Sequence, residues 1–148
     1  MNFCFKLLTV CLLGLGLNAC AFFSSDNQQN VQRSVYVLTE MNGAPFQASK
    51  IPYLQFHEGF MVSGAICNSF IGQGELVDGT LFVRDFATTR TLCPDPQLNE
   101  LEFALGNMLM LGAGFETSGN ELTLTGPELV LKFQVYNFTD QGLSQTDG

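Results

Sequence analysis

Between Leu98 and Leu109 the apolar residues of this chain recur every three or four positions, and no other long stretch shares that period. Leu98, Leu101, Leu105, Met108 and Leu109, with Glu102 among them, make a stripe about one helix face wide. Asp95 stands where an N-cap side chain would accept the first free amides, Pro96 suits the first helical position, and Gly112 is a natural stop. One helix is therefore expected from Pro96 to Leu111, with Glu100 and Glu102 in or near its first turn, where the helix dipole favours negative charge. A lone amphipathic helix must bury its stripe, and the rest of this chain supplies only strands to cover it.

Those strands are short and punctuated by turns. Ser34 to Leu38 is β-prone and Asn42-Gly43 turns after it. Tyr53 to His57 and Phe60 to Ile66 flank Glu58-Gly59 as a hairpin. Phe70 to Val77 is loosened by glycines that suggest bulges. Asp78-Gly79 returns the chain into Thr80 to Phe86, where Leu81 and Val83 share one face and Phe82 takes the other. After the helix, Phe115 to Thr117, Leu122 to Thr125 and Glu128 to Val135 alternate with turns at Ser118-Gly119-Asn120 and Gly126-Pro127. The expected fold is α+β and mostly antiparallel β: a curved sheet or partly open barrel wrapped around a single helix, spanning residues 33–136 as one domain.

The N-terminus reads differently. Lys6 precedes Leu7 to Leu17, an uncharged apolar run of 11 residues, whereas a helix that crosses a bilayer needs roughly 20. A positive start, a short apolar centre and a small residue at the end mark a secretory signal, expected over residues 1–19. Leu17-Asn18-Ala19-Cys20 resembles the lipobox of bacterial lipoproteins, Asn18 being its less usual member. That resemblance implies acylation of the Cys20 thiol and cleavage after Ala19. Because Ala21 rather than Asp follows, it also implies delivery to a Gram-negative outer membrane, with the domain in the periplasm. Several acyl chains, at about 0.8 kcal/mol per buried methylene, anchor a protein where one chain does not. Residues 20–32 are polar and read as a flexible tether, and 137–148 as a polar tail.

Charge narrows the partners. Beyond Cys20 the basic residues are Arg33, Lys50, Arg84, Arg90 and Lys132, against all 14 acids of a chain whose formal net charge is −8. Such a surface repels phosphate backbones and anionic lipid heads, which excludes nucleic acid as a partner class and leaves membrane attachment to the lipid on Cys20.

Cys4 and Cys11 fall in the leader, so Cys67 and Cys93 remain as an even pair in an exported chain. A disulfide between them would close a loop of 26 residues; two buried thiols packing as small hydrophobes is the alternative. The same cysteines carry a resemblance. Gly64-Ala65-Ile66-Cys67-Asn68-Ser69-Phe70, then Thr88-Thr89-Arg90-Thr91-Leu92-Cys93, then Pro96-Gln97-Leu98-Asn99-Glu100-Leu101-Glu102 resemble the HslJ heat-shock lipoproteins of the META domain family. The similarity extends more weakly from Val35 to Phe133, and Leu92 departs from the methionine or alanine usual there. The resemblance implies a β-rich half-barrel around a helix. It also implies an envelope or secreted protein tied to heat shock, antibiotic tolerance and stress, without an established enzymatic activity.

Few residues could carry catalysis, and none is assigned to it. His57 is the single histidine, and the carboxylates lack the spacing of a calcium loop, so neither a metal nor a cofactor is expected. Ser63 and Ser69 lie outside any nucleophile-elbow pattern. Cys93 precedes the helix start, which leaves a thiol-redox role for Cys67 and Cys93 open. The glycine-loosened strands leave open a carrier that holds a small ligand inside a barrel. Phe60, Phe70, Phe82 and Phe86 lie on adjacent hairpins and would form a binding patch if exposed together. Arg90 either pairs with Glu100 or Glu102, or turns its charge to a ligand. Asn68, Phe70 and Arg90 are thus the candidate interaction residues. They belong to a non-catalytic accessory expected to bind or stabilise envelope proteins or misfolded proteins, with an oligomeric state that the residues do not declare.

Overall fold

The computed structural model describes residues 31, 32 and 34–136. The expected signal, Cys20 and most of the tether, Arg33 and the tail from 137 lie outside the described residues. Val31 and Gln32, grouped with the tether on composition, instead join the body: Val31 is buried, and Gln32 bridges Phe56.

Among the described residues, nine strands form one sheet. They are β1 (Val35–Met41), β2 (Ala44–Pro45), β3 (Tyr53–Phe56), β4 (Met61–Ala65), β5 (Ser69–Val77), β6 (Thr80–Thr88), β7 (Ala113–Ser118), β8 (Glu121–Thr125) and β9 (Val130–Val135). Neighbours pair antiparallel from β1 through β3 to β9, and β9 pairs back onto β1, with Leu38 opposite Phe133. The result is a closed eight-stranded barrel, with β2 appended as a hairpin on β1. Closure goes beyond the partly open form that alternation suggested, because pairing between the first and last strands leaves no signal along the chain.

The turns follow local chemistry. Asn42 and Gly43, and likewise Asp78 and Gly79, have positive φ at both turn centres, the geometry two-residue hairpins require. Between β3 and β4 the chain makes a 3-10 turn, Glu58–Phe60. The bulge expected from the β5 glycines falls on the other strand. Ile71 faces Ala87 but Gln73 faces Arg84, so the extra residue belongs to β6, where Asp85 has φ 51°. Gly72 answers a different need: a Cβ there would lie 2.5 Å from Val83 Cγ1 and 2.8 Å from the Arg84 carbonyl oxygen.

Alternation along the strands turns apolar residues inward. Leu54, Phe56, Val62, Leu81, Leu122, Leu124, Leu131 and Phe133 are all fully buried. Phe56 packs edge-on to Tyr36 and Phe115 at centroid distances of 6.0 and 5.7 Å. The barrel interior is thus occupied by side chains, and the small-ligand carrier loses its cavity there.

The helix α1 (Pro96–Leu111) has the expected bounds. Asp95 caps it by accepting from the Gln97 amide, and the Gly112 N–H returns to the Met108 carbonyl. Its stripe of Leu98, Leu101, Leu105, Met108 and Leu109 is buried. Strand β6 pairs with β7 only at Thr80 and Leu81, so the remainder of β6 needs a neighbour, and α1 packs along it. Met108 reaches Gly126 in the β8–β9 turn. Val31 lies at the other end of β8, beside Gly119 and Asn120 of the β7–β8 turn. The chain therefore enters the barrel at the end of β8 remote from α1.

Candidate functional site

Strand β4 reverses into β5 through Ile66, Cys67 and Asn68, directly against the helix. A disulfide joins Cys67 to Cys93 with 5.8 Å between the Cα atoms, tying that turn to the segment that leads into α1. Cys93 is only 5% exposed, and the helix cap belongs to Asp95 two residues later. A catalytic thiolate needs access and the field of a helix start. Burial of Cys93 therefore favours a staple over a redox centre.

Beside the disulfide sits a polar network. Glu102 Oε2 accepts the backbone N–H groups of Cys67 at 3.1 Å and Asn68 at 2.6 Å, and Oε1 accepts from Asn68 Nδ2 at 2.9 Å. Asn68 Oδ1 accepts from the Thr91 amide at 2.6 Å and from Thr89 Oγ1 at 3.2 Å. Asn68 is 7% exposed, and its amide is committed to these partners. Glu102 lies beyond the first turn, which holds no acidic residue. Its function is to satisfy a turn rather than a helix dipole. Nor does it pair with Arg90: the guanidinium is exposed, and no ion pair links it to Glu100 or Glu102.

Next to this network lies a cleft of about 370 Å³ between α1 and the β5–β6 hairpin. Phe70 and Phe86, stacked at 5.1 Å between centroids, form one wall; Phe103 and Met110 form the other, with Gly106 between them. Small-molecule sites are typically clefts of this size, apolar with a few polar groups. The phenylalanine patch expected on the hairpins does not form. Phe60 and Phe70 are buried, and Phe82 and Phe86 are half-buried. The helix and its approach carry the most exposed apolar groups, Phe103 at 74%, Leu111 at 80% and Leu92 at 91%, while Ile51 at 71% lies apart from them, before β3. The interval of four to eight residues from Phe103 to Asn107, Met110 and Leu111 was the sequence signal for this second stripe, hidden because the buried stripe alone fits the helix pattern.

Outside the cleft, His57 Nε2 and Ser63 Oγ lie 2.7 Å apart across the β3–β4 hairpin. Ser63 sits on a regular strand, and no acid holds the other ring nitrogen among the described residues, so the pair lacks the orienting third member of a nucleophilic triad. No cluster of three metal-binding side chains occurs among the described residues.

A closed antiparallel barrel, covered by one helix and stapled beside it by a disulfide, defines a small α+β barrel domain. The chain belongs to the META domain family, whose model matches residues 29–136. It is similar to the heat shock protein HslJ of Escherichia coli, with 37% identity over 108 residues, 72% of this chain and 77% of that protein. An NMR structure 36% identical in sequence matches with a TM-score of 0.66, covering 72% of this chain and 92% of its own. A second NMR structure, of a protein from Burkholderia xenovorans, is similar in fold alone at 21% identity and a TM-score of 0.58, covering 77% and 89% of the two chains.

Proposed function

We propose that this protein is an outer-membrane lipoprotein, anchored through Cys20, that holds apolar segments of non-native envelope proteins under stress. The cleft between α1 and the β5–β6 hairpin carries the reading. Phe70, Phe86, Phe103 and Met110 line an apolar trough open to solvent, beside the exposed Leu111. Position supports it as well. Entry of the chain at the end of β8 remote from α1 lets a tether on Cys20 present the cleft away from the lipid surface. The name of the heat-shock relative is in keeping with a role when proteins unfold.

The test is photo-crosslinking in heat-stressed cells with a crosslinker placed at Leu111, exposed beside the cleft residue Met110, comparing the native chain with Cys20→Ala. The reading expects adducts with envelope proteins that increase on heating, and movement of the Cys20→Ala chain out of the membrane fraction. A native chain that forms no adduct, or that leaves the membrane fraction freely, defeats it.

A further inference from the structure

Gly106 is out of place on general grounds. It lies inside α1, where glycine destabilises a helix relative to alanine. Two usual reasons for tolerating it are missing. Its backbone is helical, with no positive φ, so any residue fits the conformation. Nor does a neighbour crowd it: a Cβ at this position would meet only Phe86 Cε1 and Cζ, both at 3.7 Å, an ordinary contact. Gly72 and Gly112 differ, since a Cβ on either would fall within 3 Å of its neighbours. Packing in this chain thus accounts for Gly72 and Gly112 and leaves Gly106 unexplained. What the missing methyl preserves is depth, because Gly106 lines the cleft opposite Phe86, between Phe103 and Met110.

The lining indicates what that depth receives. Glu102 is its only charged residue among the described residues, and both carboxylate oxygens already accept from Cys67 and Asn68, so the cleft favours an uncharged group. Asn107 also lines it, half-buried, and its carboxamide makes no hydrogen bond to another described residue. A carboxamide has the donor and acceptor that complement a peptide group. A second copy of the chain is a poorer occupant, because each copy sets five basic residues against 14 acids beyond Cys20.

We infer that Gly106 is the specificity-determining residue of the cleft: it admits one bulky apolar side chain of an extended, uncharged peptide segment whose backbone hydrogen-bonds to Asn107. This rests on the proposed binding role of the cleft. The occupant's side chain lies over Gly106 and against Phe86 and Phe103, while the adjoining peptide group exchanges hydrogen bonds with the Asn107 carboxamide.

The experiment uses the full-length protein in phosphatidylcholine nanodiscs and two labelled nonapeptides of serine and asparagine, one with a central phenylalanine and one with a central alanine. Binding is read by fluorescence anisotropy and stability by thermal unfolding. The native protein is expected to prefer the phenylalanine peptide by about tenfold. Gly106→Ala should remove most of that preference while raising Tm by roughly 3 °C. Asn107→Ala should weaken both peptides alike. A Gly106→Ala protein with a lowered Tm means that the glycine serves packing, and one that keeps the full preference means that it does not read the side chain; either overturns the inference. Self-association through the cleft that excludes the peptide, seen by sedimentation, overturns it in favour of a second copy. Binding of neither peptide by the native protein overturns the cleft reading itself, a result distinct from a failure at Gly106 alone.

Discussion

Glu102 Oε2 lies 2.6 Å from the backbone nitrogen of Asn68, so the β4–β5 turn hangs from the side chain of a helix residue 34 positions later. With the Cys67 amide and the Asn68 carboxamide, one carboxylate satisfies three donors that the turn itself leaves without acceptors. An acceptor removed from part-buried donors costs about 1–3 kcal/mol for the group left unsatisfied. Glu102→Ala should therefore lower stability by about that amount, read by urea unfolding. A variant as stable as the native protein would mean that water replaces the carboxylate.

The disulfide makes a larger and separable contribution. With a sequence separation of 26 between Cys67 and Cys93, loop-closure entropy in the unfolded chain gives about 3.5 kcal/mol at most. The double variant Cys67→Ala, Cys93→Ala should unfold at lower urea, and reductant should shift the native protein but leave the variant where it is. Equal midpoints for both proteins without reductant would show that helix packing already holds the turn.

Two glycines should respond to alanine for different reasons. Gly72→Ala drives a methyl into Val83 and the Arg84 carbonyl, and the backbone cannot yield; overpacking of this kind costs about 1–3 kcal/mol. Gly43→Ala meets nothing, but its φ of 78° is unfavourable for a side chain; the expected loss is about 1 kcal/mol. Unfolding midpoints for the pair would rank them, and the reverse order would refute the packing account.

Asp95 should make the helix cap sensitive to acid. The Ser49 hydroxyl donates to Asp95 Oδ2 at 2.8 Å and the Ser49 amide at 3.3 Å, with the Gln97 amide on Oδ1. These bonds, the Ser49 hydroxyl foremost, hold the carboxyl below the ordinary aspartate range. A lowered folded-state pKa contributes stability that is present above the unfolded value, about 4. That contribution is lost as pH falls through the folded pKa. In Asp95→Asn, where no proton can be taken up, Tm should fall less steeply as pH drops below about 4. Parallel acid limbs for the two proteins would rule the linkage out.

Legibility in the sequence followed the range of the interaction. Pro96 to Leu111 was readable to both ends because Asp95, Pro96 and Gly112 act on the backbone within a few residues of themselves. The Asn42-Gly43 and Asp78-Gly79 turns were readable for the same reason. The cysteine pair was readable by count. Glu102 was legible only as a helix residue, since its partners lie more than 30 positions earlier and nothing local announces them.

What the chain determines on its own, then, is a set of local preferences: where strands alternate, where they turn, where one helix begins and stops, and which cysteines remain to pair. The closure of β9 onto β1, the placement of the bulge on β6 rather than β5, and the cleft between Phe86 and Gly106 were decided by the tertiary structure. Each depends on residues distant in sequence meeting at a fixed offset. That offset is set by how the whole barrel packs around its core, and no short stretch of residues carries it.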